Sequence, residues 1–307
     1  MKKFLVLLFA SAFTLAAFAG CASLKEKPSL TVGVLPDVDS IPLIIALQQG
    51  YFEDEGVEVR IEKFTSAADR DSALQSGAID GAVSDMLAAA FAAQGGFEVK
   101  ITSLTNGSYK MLAGPSMENS NDIAGRSIAI STNTIIEYST DKMLEELSLR
   151  PGDVSKTAIP QIPVRLEMLS NGQVDLATLP EPLASSALKS GARILSSTDR
   201  LGINPGVLLF TAGTVENKFE LLKAFYSAYN KAIDYLQKTR LADYYPVLVG
   251  QLSFPEGIAE VLELPSYTQA STPSRDDFEG VMQWLTQKEL IDNIYSYEDL
   301  IFEGLFD

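Results

Sequence analysis

One stretch of this chain occurs twice. Leu74-Gln75-Ser76-Gly77-Ala78-Ile79-Asp80-Gly81-Ala82 is matched by Leu169-Ser170-Asn171-Gly172-Gln173-Val174-Asp175-Leu176-Ala177, so Leu-x-x-Gly-x-(Ile/Val)-Asp-x-Ala recurs 95 positions on, at 74 and 169. Each copy describes a helix that stops at a glycine able to take positive φ, followed by a short strand that carries the chain inward. Asp80 and Asp175 stand just before those strands, where a carboxylate satisfies turn amides, and a structural role is expected for both. After each strand a polar loop opens the next helix, Ser84-Asp85 in one copy and Pro180-Glu181-Pro182 in the other. In open parallel α/β sheets such loops lie at the carboxyl ends of strands, where ligands bind. The repeat therefore predicts two similar lobes, each offering a loop to a shared cleft.

Periodicity around the repeat fills in those lobes. Leu30 to Leu35 alternates and is β-branched, an apolar helix runs from Ile41 to Gln49, and Val57 to Lys63 alternates cleanly, which together predict a parallel crossover. The repeat strand, Val99–Leu104 and Tyr109–Ala113 complete a first lobe. The polar run 114–122 marks a crossing, and the pattern restarts at Ser127 and continues to Ser196 as a smaller second lobe. Asn204-Pro205-Gly206 leads back into a strand, Val207–Thr211. An amphipathic helix follows over 217–236, with its aromatic stripe read as core. Further helices are expected over 241–249, 254–262, 276–288 and 297–302, bracing the first lobe. The fold class is thus α/β, two-lobed, each lobe a mainly parallel sheet flanked by helices. Lobe one takes 30–113 and 207–307, lobe two takes 114–206, and two crossings form a hinge.

The start of the chain reads as an export signal. Lys2-Lys3 precede an apolar run from Phe4 to Phe18, and Phe18-Ala19-Gly20-Cys21 is similar to a lipobox, whose cysteine becomes the lipidated first residue. Residues 1–20 are expected to be a lipoprotein signal peptide, Cys21 the lipid anchor and 21–29 a tether to the domain. The alternative is an ordinary secretory signal with an incidental cysteine. Cys21 is the single cysteine, so no internal disulfide is possible.

Composition removes several functions. There is no histidine, which excludes Ser-His-Asp and Cys-His nucleophile systems and the commonest zinc ligand. With 40 acidic against 24 basic residues, the chain lacks the positive surface that nucleic acid or anionic lipid would require. No metal and no cofactor is expected, and the protein is expected to act as a monomer.

Leu30-Thr31-Val32-Gly33-Val34-Leu35, Gly50-Tyr51-Phe52 followed by Glu55-Gly56-Val57, the Gly77-x-x-Asp80 copy and Pro180-Glu181-Pro182 resemble the nitrate/sulfonate/taurine and thiamine-precursor binding proteins of ABC importers. The resemblance runs from about Leu30 to Leu290. It implies a type II periplasmic-binding-protein fold, capture of a small solute between the lobes, and delivery to a membrane permease driven by a separate ATPase. It also implies an exported protein held at the membrane surface by its anchor. The family contains a thiamine-pyrimidine synthase with a cysteine-rich iron motif and an essential histidine, neither of which this sequence has. An enzyme on the same fold, using paired carboxylates, stays open as an alternative, as does a ligand-sensing lipoprotein.

The loops expected at the cleft supply the candidate ligand-binding residues: Asp37, Asp39 and Ser40; Ser66; Ser84 and Asp85; Ser131, Thr132 and Thr134, with Glu137 one turn into its helix; and Glu181. Ser40, Ser66, Ser84 and Asp85 are also good helix N-caps, a local role that needs no ligand. None of these loops carries Lys or Arg. The carboxylates therefore favour a neutral or amine-bearing heterocycle, such as a thiamine-pyrimidine precursor, over a sulfonate- or nitrate-type anion.

Overall fold

The computed structural model describes residues 29–117, 119 and 122–306. The signal segment, Cys21 and nearly all of the tether lie outside the described residues, and Ser29, expected as the last tether residue, already begins the first strand. The chain runs through β1 (Ser29–Val34), a short 3-10 turn (Val38–Ser40), α1 (Ile41–Gln48), α2 (Tyr51–Asp54), β2 (Glu58–Lys63), α3 (Ala67–Gln75), β3 (Gly81–Asp85), α4 (Met86–Gln94) and β4 (Val99–Leu104). It then enters the second lobe with β5 (Tyr109–Ala113), β6 (Ser127–Ile130), α5 (Ile135–Glu146), β7 (Ser155–Ala158), α6 (Ile162–Ser170), β8 (Leu176–Pro180), α7 (Leu183–Lys189), β9 (Arg193–Ser197) and α8 (Thr198–Leu201). It returns through β10 (Gly206–Thr211), α9 (Ala212–Asn217), α10 (Phe219–Lys238), α11 (Leu241–Leu252), α12 (Arg275–Gln287) and α13 (Tyr297–Leu300).

Two five-stranded sheets result, ordered β2-β1-β3-β10-β4 and β7-β6-β8-β5-β9. In each, one strand is antiparallel to its neighbours, and it is the strand delivered across from the other lobe: β10 in the first sheet, β5 in the second. This corrects one expectation. Tyr109–Ala113 belongs to the second sheet, where Tyr109 pairs with Pro180, and not to the first lobe. The turn at Asn106-Gly107-Ser108 looks like a hairpin locally, but the edge beside β4 is taken by β10. The chain therefore crosses at 105–108, and the described residues of the polar run, 114–117, 119 and 122, lie within the second lobe.

The repeat positions the strands as its chemistry requires. Gly77 and Gly172 take φ of 74° and 68° at the helix ends. Asp80 Oδ2 accepts from the Thr31 amide at 2.8 Å, and Asp175 Oδ2 accepts from the Ser127 amide at 2.9 Å. Each aspartate thus ties the start of β3 or β8 to the start of the neighbouring strand, behind the cleft.

The core is continuous with this scheme. Leu30, Val32 and Val34 of β1 pack with α1 and with the inward face of α10, where Leu222, Phe225, Tyr229, Ile233 and Leu236 recur at helical spacing. The C-terminal part does brace the first lobe, but two details differ from expectation. Residues 254–262 form no helix, because Ser253 turns left-handed with φ 56° and Pro255 follows. The strap they make also touches the second lobe: Lys189 Nζ donates to Gly257 O at 2.9 Å, and Ser185 Oγ donates to Val261 O at 3.3 Å.

Candidate functional site

Backbone hydrogen bonds already span the cleft, from the Val38 amide to Glu181 O at 3.2 Å and from the Ile162 amide to Thr65 O at 3.3 Å. Behind this closed rim lies a narrow cavity with ≈ 460 Å³ of atom-free space, mouth included. Its first-lobe wall carries Asp37, Asp39, Arg70, Ser84 and Asp85, and its second-lobe wall carries Tyr109, Ser131, Thr134 and Arg165. Apolar side chains such as Leu35, Ile135 and Ile162 fill the remainder.

The carboxylates enter from two strand ends. Asp37 precedes the 3-10 turn after β1, and Asp39 lies within it. Ser40 Oγ donates to Leu35 O and to Asp37 Oδ1, both at 2.9 Å, so Ser40 fastens this turn and caps no helix amide. Asp39 accepts from Thr105 Oγ1 at 2.5 Å and from the Tyr109 hydroxyl at 3.1 Å. Both chain crossings press on it: a Cβ at Gly107 would come 2.5 Å from Asp39 Oδ2, and one at Gly206 would come 2.6 Å from Thr105 Oγ1 and 3.1 Å from Asp39 Oδ1. Asp85 ends β3 and caps α4 through the Ala88 amide at 2.9 Å. Burial drives all three carboxyls upward, Asp37 most strongly with the repulsion of Asp39 added, and Asp85 to about 6 against the pull of Arg70. On the opposite wall the Thr134 side chain accepts from the Ile136 amide at 3.2 Å and caps α5.

Six candidates therefore meet at the cavity: Asp37, Asp39, Ser84, Asp85, Ser131 and Thr134. Five do not. Ser40 is turned into its own loop. Ser66 caps α3 through the Asp69 amide at 3.2 Å. Thr132 is exposed. Glu181 is fully buried beside the cavity, 2.6 Å from Lys110 Nζ, with Oε2 accepting from the Ser185 amide at 2.9 Å. Glu137 lies in a separate ion cluster at the rim, accepting from the Asn133 amide at 2.8 Å, from Lys156 at 2.9 Å and from Lys288.

Two arginines of the cavity lie on helices, outside the loops expected to supply the site. Arg70 and Arg165 stand on α3 and α6, on the buried faces with Ala67 and Leu74 and with Ile162 and Leu169. They are also 95 positions apart, at 70 and 165, so the repeat extends back to Arg-x-x-x-Leu-x-x-Gly-x-(Ile/Val)-Asp-x-Ala. A cation on an apolar helical stripe, in register with a repeat, was the available signal. Arg70 is ringed by acid, with Asp71 at 2.8 Å and Asp85 at 3.7 Å. Arg165 donates Nη1 to Ile159 O at 2.9 Å and Pro160 O at 3.1 Å, and burial alone pulls its guanidinium down to about 10.

Five buried side-chain atoms among the described residues make no hydrogen bond, and three belong to cavity-lining residues: Ser84 Oγ and Arg165 Nε have no polar partner, while Arg70 Nη2 is held by its ion pair with Asp71 at 2.8 Å. Such groups are costly unless something else completes them, so the cavity has the chemistry of a polar ligand site. Among the described residues no group of three or more Cys, Asp or Glu side chains is placed to hold a metal ion.

The same two-lobed fold occurs in known solute-binding proteins. The alkanesulfonate-binding protein of Xanthomonas axonopodis pv. citri, solved with MOPS, aligns with TM-score 0.78 at 17% identity, covering 90% of this chain and 98% of that one. The periplasmic nitrate-binding protein of Synechocystis aligns with TM-score 0.69 at 14% identity, over 92% of this chain and 88% of that one. In sequence, a Brachyspira hyodysenteriae protein named as an ABC transporter periplasmic binding protein is 23% identical over 252 residues, 76% of this chain and 72% of its own. The model of one family matches residues 23–246, most of the chain, and the protein belongs to that family, the NMT1-like family.

Proposed function

We propose that this protein is the extracytoplasmic solute-capturing component of an ABC importer, closing its lobes on a small molecule and presenting it to a membrane permease driven by a separate ATPase. The observation that carries this reading is the cavity between the lobes, where a buried polar atom on each wall, Ser84 Oγ on one and Arg165 Nε on the other, lacks a partner. The name of the Brachyspira relative and the family membership support it. The solute offers N–H groups to Asp37, Asp39 and Asp85, as a pyrimidine thiamine precursor would. A sulfonate- or nitrate-type anion is the second reading, favoured by Arg165, which has no acidic partner among the described residues. The raised carboxyls of Asp37 and Asp85 are also what acid–base catalysis would use, and turnover of a bound compound is the sign of that alternative.

The reading includes a lipid anchor at Cys21 and a monomeric state. No helix among the described residues is long and apolar enough to cross a membrane, so attachment would rest on the acyl chains. Cys21→Ser is expected to move the protein from the membrane fraction to the soluble extracytoplasmic fraction. The central test is mass spectrometry of small molecules released from purified, unrefolded protein, followed by uptake of the released compound in cells with and without the gene. Loss of uptake is expected. A protein that releases nothing, or a released compound whose uptake survives deletion of the gene, would sink the proposal.

A further inference from the structure

The matched arginines of the repeat have unequal surroundings, and the inequality describes the solute. This inference rests on the solute-capture reading. Arg70, on the first lobe, shares its wall with Asp37, Asp39 and Asp85 and has Asp71 at its side, so that wall is negative despite the guanidinium. Arg165, on the second lobe, is 1% exposed, and no carboxylate among the described residues pairs with it. Its Nη1 contacts to two backbone carbonyls supply dipoles and no neutralising charge, and its Nε is left without a partner. A buried guanidinium in that state is costly until an anion completes it. The hydroxyl of Ser131 lines the same wall and suits an oxyanion, while that of Thr134 is spent on Ser131 O and the Ile136 amide. The two walls thus make opposite demands, and neither a simple amine nor a simple anion meets both.

We propose that the solute is dipolar, with an acidic group held by Arg165 on the second lobe and an amino or N–H-bearing group held by Asp37 and Asp39 on the first. Each end then belongs to a different lobe, and only a molecule carrying both ends completes the two walls together.

The test is a thermal-shift panel on the purified protein using two size-matched triplets at millimolar concentration. One is 3-aminopropanoate with propanoate and propylammonium; the other is 2-aminoethanesulfonate with ethanesulfonate and ethylammonium. The expected result is a shift from a dipolar member and none from its single-ended counterparts. A shift from the acid alone or the amine alone, equal to that of the dipole, overturns the inference while leaving solute capture standing. No shift from any member also overturns it, and release of no small molecule from the protein overturns the capture reading beneath it. Arg165→Gln should weaken binding of the responding dipole on the order of 100-fold, with partial recovery in Arg165→Lys. If Arg165→Gln lowers only the melting temperature of the free protein and leaves the dipole response unchanged, Arg165 merely supports the loop at 159–160 and the inference fails.

Discussion

Two groups of buried charge lie between the same pair of lobes and are finished to different degrees. At the rim, Asp141 accepts from Lys156 at 2.5 Å and from the Trp284 indole N–H at 3.1 Å, while Lys288, just past the end of α12, reaches both Asp141 and Glu137. Burial would raise the Glu137 carboxyl, but the Asn133 amide and the two lysines outweigh it and hold it below its usual range. In the cavity the balance runs the other way: the carboxyls are pushed up, and Arg165 is pushed down. The rim is complete within the chain and holds the lobes together. The cavity is complete only with something added.

The largest test of that contrast is Asp141→Ala, which leaves the buried Trp284 N–H without its acceptor and Lys156 and Lys288 with Glu137 as their remaining carboxylate. A loss of about 3 kcal/mol in denaturant unfolding is expected, and a loss below about 1 kcal/mol would reduce the rim to a solvated decoration. Asp85→Asn should act in the opposite direction. Because burial raises this carboxyl from 3.8 to about 6, the folded chain takes its proton first; the resulting stabilisation is full below 3.8 and gone above about 6. At neutral pH the ionised group costs about 3 kcal/mol, and asparagine removes that cost. The variant's melting temperature without solute should exceed the parent's at pH 7.5, and the gap should close as pH falls towards 4. Parallel curves would mean that Arg70 already satisfies Asp85.

Smaller effects sharpen the picture. Ser84→Ala deletes an unpartnered hydroxyl, so the free protein should gain about 1 kcal/mol in stability while affinity for the released solute falls. Ser66→Ala should cost about 1 kcal/mol through its lost cap, with affinity unchanged by titration calorimetry, since Ser66 does not line the cavity. A drop in affinity there would extend the site beyond its present walls.

What the sequence displayed was local. Helix stops at Gly77 and Gly172, alternation in β1 and β2, and the stripe of α10 are periodic or positional signals, and they put the two sheets and the cleft loops in place. The partner of Tyr109–Ala113 is a non-local choice that its own residues do not encode, so its sequence alone places the strand with the first lobe while its pairing is with the second. Side-chain direction failed for a related reason. Ser40, Ser66, Thr132, Glu137 and Glu181 stand on or beside the correct loops, yet local hydrogen bonds or nearby lysines hold most of them elsewhere. Arg70 and Arg165 lay inside helices, where a cation on a buried face reads as an exception until the repeat is extended to include it.

The contact of Asp39 with both crossings has a mechanical meaning. Any rotation of one lobe against the other turns about 105–108 and 202–205, and Asp39 sits against Gly107 in the first of these segments and Gly206 at the end of the second. A bond made at that carboxylate acts with almost no lever arm. It can fix the angle at which the lobes come to rest, but it supplies little torque to bring them there. Arg165 stands on α6, part of neither crossing, so a bond made there pulls at a distance from the axis. The two ends of one bound molecule would then divide the labour of closure, one setting the angle and the other driving the lobes towards it.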